Sequence, residues 1–240
     1  MTESIETSPE VFGTRESPQA QAKPVRRPLT SERILHAGLR LIDEQGLEAL
    51  TMRKLAQEFG VDPMALYRHF ENKDALLDSV AEMLWGEVEL PGSEAGWEVL
   101  LRSLATSLRA LAHTHPHAYV LLCNSRSLSP AMLHLCGSML EQLQRVGFEQ
   151  KRASEVLCTI CSYAIGYAMV ELSALSSEPS EQGTSGLTDI GRLTQIMRRL
   201  PRETPTRLVE VACILTDCDM DAQFLFGLDL MLTSLKARQG

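Results

Sequence analysis

The sequence predicts an all-α protein. Apolar residues recur from Leu29 to near the C-terminus with the spacing of amphipathic helices, and no run shows the strict alternation of a half-buried strand. Three helix starts near the N-terminus use the same device, in which an N-cap residue (Thr30, Thr51 or Asp62) is flanked by apolar residues at the hydrophobic-staple spacing. Three such starts in close succession indicate a compact three-helix unit followed by a longer helical region.

Residues 29–75 form the first predicted domain. Its helices are expected at 31–45, 52–58 and 63–69, after an N-terminal tail (1–28) that is rich in Ser, Glu, Gln, Thr and Pro and is expected to be disordered. Gly46 ends the first helix, Gly60 provides the turn between the second and the third, and Pro63 suits the first position of the third. Two short helices joined by such a turn are typical of the helix-turn-helix, whose second helix fits the major groove of DNA.

Residues 76–240 form the second, larger predicted domain. A fourth helix is capped by Asn72 and stopped by Pro91-Gly92. Further helices are expected at 95–113, near 117–123, at 130–146 and at 149–175, followed by a mobile loop at 176–187, two helices near 188–200 and 205–216, and a last helix at 219–237.

Two helices of this domain are apolar around nearly their whole circumference, within 156–175 and 224–235. One face of such a helix can pack on the chain's own core, but the other needs a cover. A second copy of the chain is the simplest cover, since helix-turn-helix proteins usually read two half-sites as dimers; the alternative is a helix deeply buried in a monomer. The residues predicted for the dimer interface are Tyr163, Ala164, Tyr167, Ala168, Phe224, Gly227, Leu228 and Met231.

The predicted DNA-reading residues follow from their positions in the helix-turn-helix. Pro63, Met64 and Ala65 start the recognition helix and face base edges, where they can contact a thymine methyl but cannot form a bidentate hydrogen bond. Arg53 is the better candidate for a guanine contact. The side chains of Tyr67, His69 and Lys73 can donate hydrogen bonds to phosphate oxygens. Lys73 also opens a helix, whose N-terminus favours an anion. The predicted set is Thr51, Arg53, Lys54, Pro63, Met64, Ala65, Tyr67, Arg68, His69 and Lys73.

Some of these residues have a plainer alternative. Tyr67 and His69 can serve packing or capping, and Lys54 and Arg68 can be solvated surface. The cations at the end of the tail, in the stretch 23–28, either touch DNA or are solvated.

The charge distribution is compatible with DNA binding although the formal net charge is −8. Residues 1–22 carry one Arg against four Glu, residues 23–75 carry nine Lys/Arg against eight Asp/Glu, and the remainder carries 13 against 19. The acidity therefore lies mostly outside the first domain, and only a local basic surface need face phosphate.

The remaining composition favours a cytoplasmic protein without a membrane span. No signal peptide and no charge-free apolar run of membrane-spanning length is evident. The six cysteines lie mostly in apolar helical segments, which predicts free, buried thiols in a reducing compartment, and the pair Cys158 and Cys161 lacks a second pair at zinc spacing. No nucleophile–base pair or phosphate loop indicates an enzyme, and neither a cofactor nor a metal is expected.

Three stretches resemble one known family. Leu50–Val61, Ala65–Phe70 and Asn72–Asp78 are similar to the helix-turn-helix and the start of the fourth helix of the tetracycline-repressor (TetR/AcrR) family of transcription regulators, and Phe224–Leu230 resembles the last helix of the tetracycline repressor's C-terminal domain. The resemblance implies an all-helical homodimer that usually represses a promoter and releases DNA when a small ligand binds. It also implies that the helices at 149–175 and 219–237 form a four-helix dimer bundle, that Arg53 reads a base, and that Tyr67, His69 and Lys73 hold phosphate.

The resemblance also indicates where the ligand pocket departs from the family's pattern. In tetracycline repressors, polar and histidine side chains hold the drug and its magnesium; counting back from the shared Gly147-Phe148 places Leu104, Leu108, Leu122 and Met139 near those positions, with Glu89 near the first pocket histidine. An apolar pocket is therefore expected, and tetracycline is not expected to be the inducer. Glu171 either reaches the surface or faces a ligand pocket, and His113, His115 and His117 form a polar turn or, alternatively, a metal site.

The expected function is a ligand-responsive DNA-binding transcription regulator whose partners are a double-stranded DNA operator, an unknown small-molecule effector and a second copy of the chain. The expected mechanism is a population shift, in which the fourth helix links the two domains and its tilt sets the separation of the two recognition helices. The alternatives are an activator without ligand-released repression and a helical protein-interaction module that lost DNA binding.

Overall fold

The computed structural model describes residues 28–92, 94–124, 128–176 and 219–237, together with residues 207, 210 and 211. Over these residues the protein is helical without a strand, which confirms the all-α prediction. The helices are α1 (Ser31–Gln45), α2 (Met52–Phe59), α3 (Pro63–Leu66), α4 (Lys73–Gly86), α5 (Trp97–Thr114), α6 (Val120–Asn124), α7 (Pro130–Arg145), α8 (Gln150–Ser176) and α9 (Met220–Lys236).

The three predicted helix starts are confirmed by their caps. Thr51 Oγ1 accepts a hydrogen bond from the backbone N–H of Lys54 at 3.1 Å, and Asp62 Oδ1 accepts one from Met64 at 2.8 Å; Thr30 caps α1 in the same way. Gly60 lies in the left-handed region with φ 62°, where a side chain is strained, so the turn between α2 and α3 requires it.

Two helices end earlier than predicted. The recognition helix α3 ends at Leu66 rather than at residue 69, because the N–H groups of His69 and Phe70 both turn back to the carbonyl of Leu66 and the chain must enter the Asn72 cap of α4. Helix α4 ends at Gly86, before Pro91-Gly92, since the chain turns there and buries Val88 in the core.

Several predictions lie outside the described residues. They are the disordered tail apart from its last residue, the loop after residue 176 and, apart from residues 207, 210 and 211, the two helices near 188–200 and 205–216.

Helix α4 connects the two predicted domains. It packs against α1 of the helix-turn-helix unit and against α6 and α7 of the larger domain. Its apolar face, which includes Leu76, Val80, Ala81 and Leu84, is buried almost completely. A helix that buries one continuous face against both domains transmits a change of tilt from one to the other.

Helices α5, α7, α8 and α9 build the larger domain, and α9 is held to α8 by two tyrosines. Tyr163 Oη donates to the carbonyl of Phe224 at 2.8 Å, and Tyr167 Oη donates to that of Met220 at 2.9 Å. The ring of Tyr163 stacks on that of Phe224 with 5.4 Å between centroids. This contact lies inside one protomer.

Four of the residues predicted for the dimer interface are buried within the single chain. Ala164, Ala168, Phe224 and Leu228 have no exposed surface in the single chain, so a partner has nothing left to bury there. The pattern of a helix that is apolar all round does not reveal which side faces its own core. The apolar residues that remain on the outer side are Val170, Leu225, Phe226 and Leu230.

The prediction that the cysteines are buried is also wrong in part. Of the described cysteines, all of which are free, Cys123 and Cys158 are exposed. Each follows apolar residues in the sequence, so the sequence alone does not show that its side of the helix faces away from the core.

Among the residues that the structure describes, one helix is long and apolar enough to cross a membrane by length and composition alone, namely the stretch Gln150–Ser173 of α8. It packs against α5 and α7 in the protomer, and the core helix of a soluble protein passes the same test.

The close approach of α8 and α9 generates a test of this packing. A Cβ added to Gly227 would stand 2.8 Å from Cζ of Tyr163, closer than atoms tolerate. We therefore expect Gly227→Ala to displace Tyr163 from its hydrogen bond and to lower the free energy of unfolding by about 1–3 kcal/mol, as measured by urea denaturation.

Gly137→Ala is the matched control, because Gly137 also lies inside a helix but has open space where a Cβ would stand. Its helix propensity predicts a gain of about 1 kcal/mol. Equal effects of the two substitutions would contradict the packing of Tyr163 against Gly227.

Candidate nucleic-acid interface and ligand domain

The predicted base-reading residues lie on the outer side of the helix-turn-helix unit. Leu55 and Leu66 are fully buried and hold α2 and α3 together, which leaves Arg53 exposed in the first turn of α2. Met64, in the first turn of α3, is 67% exposed, the behaviour of an apolar side chain that is placed for a partner rather than for the core. Pro63 and Ala65 beside it are half-buried.

The predicted phosphate flank follows the end of α3. Tyr67 is 44% exposed, and Arg68 and His69 beside it are also exposed. Ser31 Oγ lies 3.1 Å from His69 Nδ1, so the ring is tied to the start of α1 and its Nε2 stays available. Lys73 is the first residue of α4, where free N–H groups of the helix attract an anion.

Two of the predicted residues also have a local structural role. Thr51 caps α2, and Lys54 Nζ donates to Oε1 of Gln45 across the gap to α1. Both contacts help to fix α2, the helix that supports the recognition helix.

The residues predicted for an apolar pocket are buried in the larger domain. Leu104 and Leu108 on α5 and Met139 on α7 are fully buried, and Leu122 on α6 is nearly so. All four are part of the hydrophobic core, which extends from α1 to α9.

Glu171 is buried, which excludes the alternative that its carboxylate reaches the surface. It is 5% exposed and receives two hydrogen bonds from Arg109 of α5, one of them from Nε at 2.8 Å. Arg109 also contacts Asp221 of α9 at 2.6 Å and lies over the ring of Phe224. The hydrogen bond that Arg109 donates to Glu171 raises the pKa of Arg109, although burial opposes this shift, so the charge network ties α5, α8 and α9 together.

Arg109 and Tyr119 were not singled out from the sequence. Arg109 stands among apolar residues of α5, and only the carboxylate on another helix gives it a role. Tyr119 has no exposed surface, and its hydroxyl is buried without a hydrogen-bond partner. Burial raises the pKa of Tyr119, so its phenol stays neutral and able to donate.

The three histidines of the α5–α6 turn contact acidic residues in other parts of the chain. His113 faces Glu171 at 3.7 Å, whereas His115 and His117 both reach Asp43 of α1. The turn is therefore a polar contact between the two domains, as one of the two alternatives had it, and a group of three possible metal ligands is not found in the part of the chain that the structure describes.

A groove of about 340 Å³ separates α8 from α9 on their outer side. Its walls are mainly apolar, and Arg152 and Glu155, an ion pair at 3.4 Å, stand at its edge. Phe226, 64% exposed, lies on the same helix as the groove's residues Leu230 and Met231.

Known proteins resemble the chain along nearly its whole length. The model of the bacterial regulatory proteins of the tetR family matches residues 34–80, and the model of the tetracyclin repressor-like C-terminal domain matches residues 90–239. The class C tetracycline repressor protein of Escherichia coli is 29% identical over 211 residues, which is 87% of this chain and 91% of that protein. The class A repressor from transposon 1721, also of Escherichia coli, is 32% identical over 168 residues, which is 69% of this chain and 76% of that protein.

A solved structure agrees with these sequence matches. The TetR family protein ActR of Streptomyces coelicolor, in complex with actinorhodin, superposes with a TM-score of 0.72 at 29% identity and covers 89% of this chain and 100% of its own. The similarity therefore extends over both the DNA-reading unit and the larger helical domain.

Proposed function

Because the chain belongs to the tetracycline-repressor family and is thus a ligand-responsive DNA-binding transcription regulator, we propose that it acts as a cytoplasmic homodimeric repressor of a palindromic operator. The observation that carries the proposal is the exposed reading surface of α2 and α3, joined through α4 to a larger helical domain. A small, largely apolar effector in that domain releases the DNA.

DNA contact is assigned to the ten residues that the sequence predicts for it. Arg53 reads a guanine, and Met64 with its two neighbours contacts thymine methyl groups. Tyr67, His69 and Lys73 hold phosphate, and the exposure of Tyr67 and His69 supports that role. Since the base-facing residues of α3 form few hydrogen bonds, sequence preference depends on Arg53 and on DNA shape.

The second copy of the chain covers the outer side of α8 and α9. Leu225, Phe226, Leu230 and Val170 are exposed there although they are apolar, and a groove between the two helices offers a place for apolar side chains of the partner. In a two-fold dimer each copy supplies both the exposed residues and the groove. This surface replaces the buried half of the interface that the sequence predicted.

The effector acts by changing the tilt of α4. Two recognition helices bind one face of DNA when they are about 34–36 Å apart, one helical turn. A ligand that binds better to a state with another separation shifts the population away from DNA. The cluster of Leu104, Leu108, Leu122 and Met139 favours an apolar effector, and the unpaired hydroxyl of Tyr119 offers a hydrogen bond to a polar atom on it.

Sequencing the DNA that co-purifies with the crosslinked protein tests the proposal as a whole. A palindromic site near a promoter is expected, and repression of a reporter from that promoter should depend on the protein. Recovery of random DNA, or activation of the reporter, would contradict it.

Substitutions on the reading surface should separate base contacts from phosphate contacts. Arg53→Ala is expected to weaken operator binding by about 1–3 kcal/mol and to relax the base preference at one position. Lys73→Ala should weaken binding to all sequences alike and lower the salt dependence of log affinity by about one unit. Fluorescence anisotropy with operator variants measures both effects.

Arg145→Ala is the control for charge, since Arg145 is an exposed cation on α7, away from the reading surface. If it weakened operator binding as much as Arg53→Ala does, the assignment of the DNA contacts would be wrong.

The dimer surface is tested with Phe226→Asp. We expect it to cost about 2 kcal/mol or more at each interface position, to yield monomers in sedimentation and to lower operator affinity. The helical content should not change, because Phe226 is exposed in the protomer. Leu133→Asp, at an exposed apolar residue of α7, should stay dimeric; a dimer that tolerates Phe226→Asp would argue for another interface.

Because apolar residues stand where tetracycline repressors have polar and histidine side chains, we expect that a tetracycline does not release the DNA. Leucine and methionine side chains cannot ligate the magnesium of a metal–drug chelate, so anhydrotetracycline with magnesium at micromolar concentration should leave the operator complex intact. Electrophoretic mobility of the complex measures this, and release of the DNA would show that the pocket has polar ligands elsewhere.

A further inference from the structure

His115 stands between the DNA-reading unit and the ligand domain, and its ring contacts two carboxylates. Its Nδ1 lies 2.7 Å from Oδ2 of Asp43, in the last turn of α1, and its Nε2 lies 3.1 Å from Oε2 of Glu87, directly after α4. The backbone of His115 is itself fixed, since its N–H donates to Leu111 and its carbonyl accepts from Tyr119. The ring therefore joins the ends of α1 and α4 to the end of α5.

The two contacts together require two ring protons. An ionised carboxylate only accepts hydrogen bonds, so each nitrogen of His115 must carry a hydrogen to bond its partner. The imidazolium satisfies both carboxylates, whereas the neutral ring satisfies only one. Histidine changes charge between about pH 5 and 8, within the range a cell experiences.

The ring lies next to acidic groups at the ends of two helices. Asp43 and Glu87 stand at the C-terminal ends of α1 and α4, where the helix dipole is negative and a cation is favoured, and neither helix has a basic residue in its last turn. The second oxygen of Asp43, Oδ1, is buried without a hydrogen-bond partner, so His115 is the group that balances this carboxylate. Its own side chain is only 13% exposed.

The other histidines nearby do not replace it. His117 contacts Asp43 through the backbone carbonyl at 2.8 Å rather than through the carboxylate. His113, one turn earlier on α5, faces Glu171. Asp43, Glu87 and His117 are thus the charged or titratable groups in contact with or next to this bridge.

We propose that His115 is a proton-controlled tie between the DNA-reading unit and the ligand domain, closed when its ring is charged and loosened when it is neutral. The tie holds α1 and the end of α4 against the ligand domain, so it opposes the change of α4 tilt on which release from DNA depends. This consequence rests on the proposed function. Since tied reading units are pre-organised for two half-sites, operator binding is stronger at the lower pH.

Thermal unfolding of wild type and His115→Gln at about pH 6 and about pH 8 tests the tie itself. At the lower pH the wild type should melt about 2–4 °C above the variant, the effect of roughly 1 kcal/mol in a chain of this size. At the higher pH the difference should fall to less than half. Asp43→Asn and Glu87→Gln should each reduce the same pH dependence.

Two further measurements distinguish a tie from simple packing. His134→Gln, at an exposed histidine of α7, should follow the wild type at both pH values. Nitrogen NMR of the imidazole should show both nitrogens of His115 protonated at the lower pH. A difference in melting temperature that is equal at both pH values, or a ring that carries one proton throughout, would overturn the proposal.

Operator DNA recovered by crosslinking gives the functional result. Between the two pH values, wild-type affinity should change about five-fold more than that of His115→Gln, with tighter binding at the lower pH. The same change in both proteins, or the opposite sign, would overturn the regulatory role. If neither protein bound DNA, the proposed function would fail, while the melting and NMR results would still decide whether the tie exists.

Discussion

The burial of α4 against both domains is the constraint on which the rest of the molecule depends. One apolar face, with Leu76 and Leu84 fully buried, packs on α1 and also on α6 and α7. The reading unit is too small to vary its own core, since Leu55 and Leu66 must meet to hold the helix-turn-helix together. In the proposed mechanism, a change in the ligand domain reaches the reading surface as a movement of α4, rather than as a repacking of α2 and α3.

The ligand domain combines a buried network of ion pairs with an exposed apolar surface. Arg109 binds Glu171 and Asp221, and a buried charge of this kind is tolerated only when it is paired, so α5, α8 and α9 have one fixed arrangement. The outer side of α8 and α9 instead exposes apolar side chains, among them Phe226. The inner network fixes the geometry that the outer surface presents, so two copies can associate in a defined orientation and set the distance between their reading units.

Local sequence signals predicted the helices and their starts, whereas contacts between side chains that are distant in the sequence could not be predicted. Thr51, Asp62 and Gly60 act on neighbours a few residues away, and their caps and turn are where the sequence places them. The end of α3 was missed, since it depends on how the chain must enter α4. Glu171 could not be assigned because its partner, Arg109, lies 62 positions away. The burial of Ala164 and Phe224 inside the single chain could not be predicted either, because apolar character does not encode which face meets the core.

The acidity of the chain has a consequence for how DNA is recognised. Most negative charge lies outside residues 23–75, where cations and anions nearly balance, so the reading unit has little long-range attraction for phosphate. Affinity and its salt dependence are then set by the phosphate contacts that local cations make. In the proposed function, selectivity comes from short-range fit: Arg53 at one base, Met64 on methyl groups and a fixed spacing between two units. Any contact that fixes this spacing, such as the one His115 makes at the ends of α1 and α4, acts directly on specificity as well as on affinity.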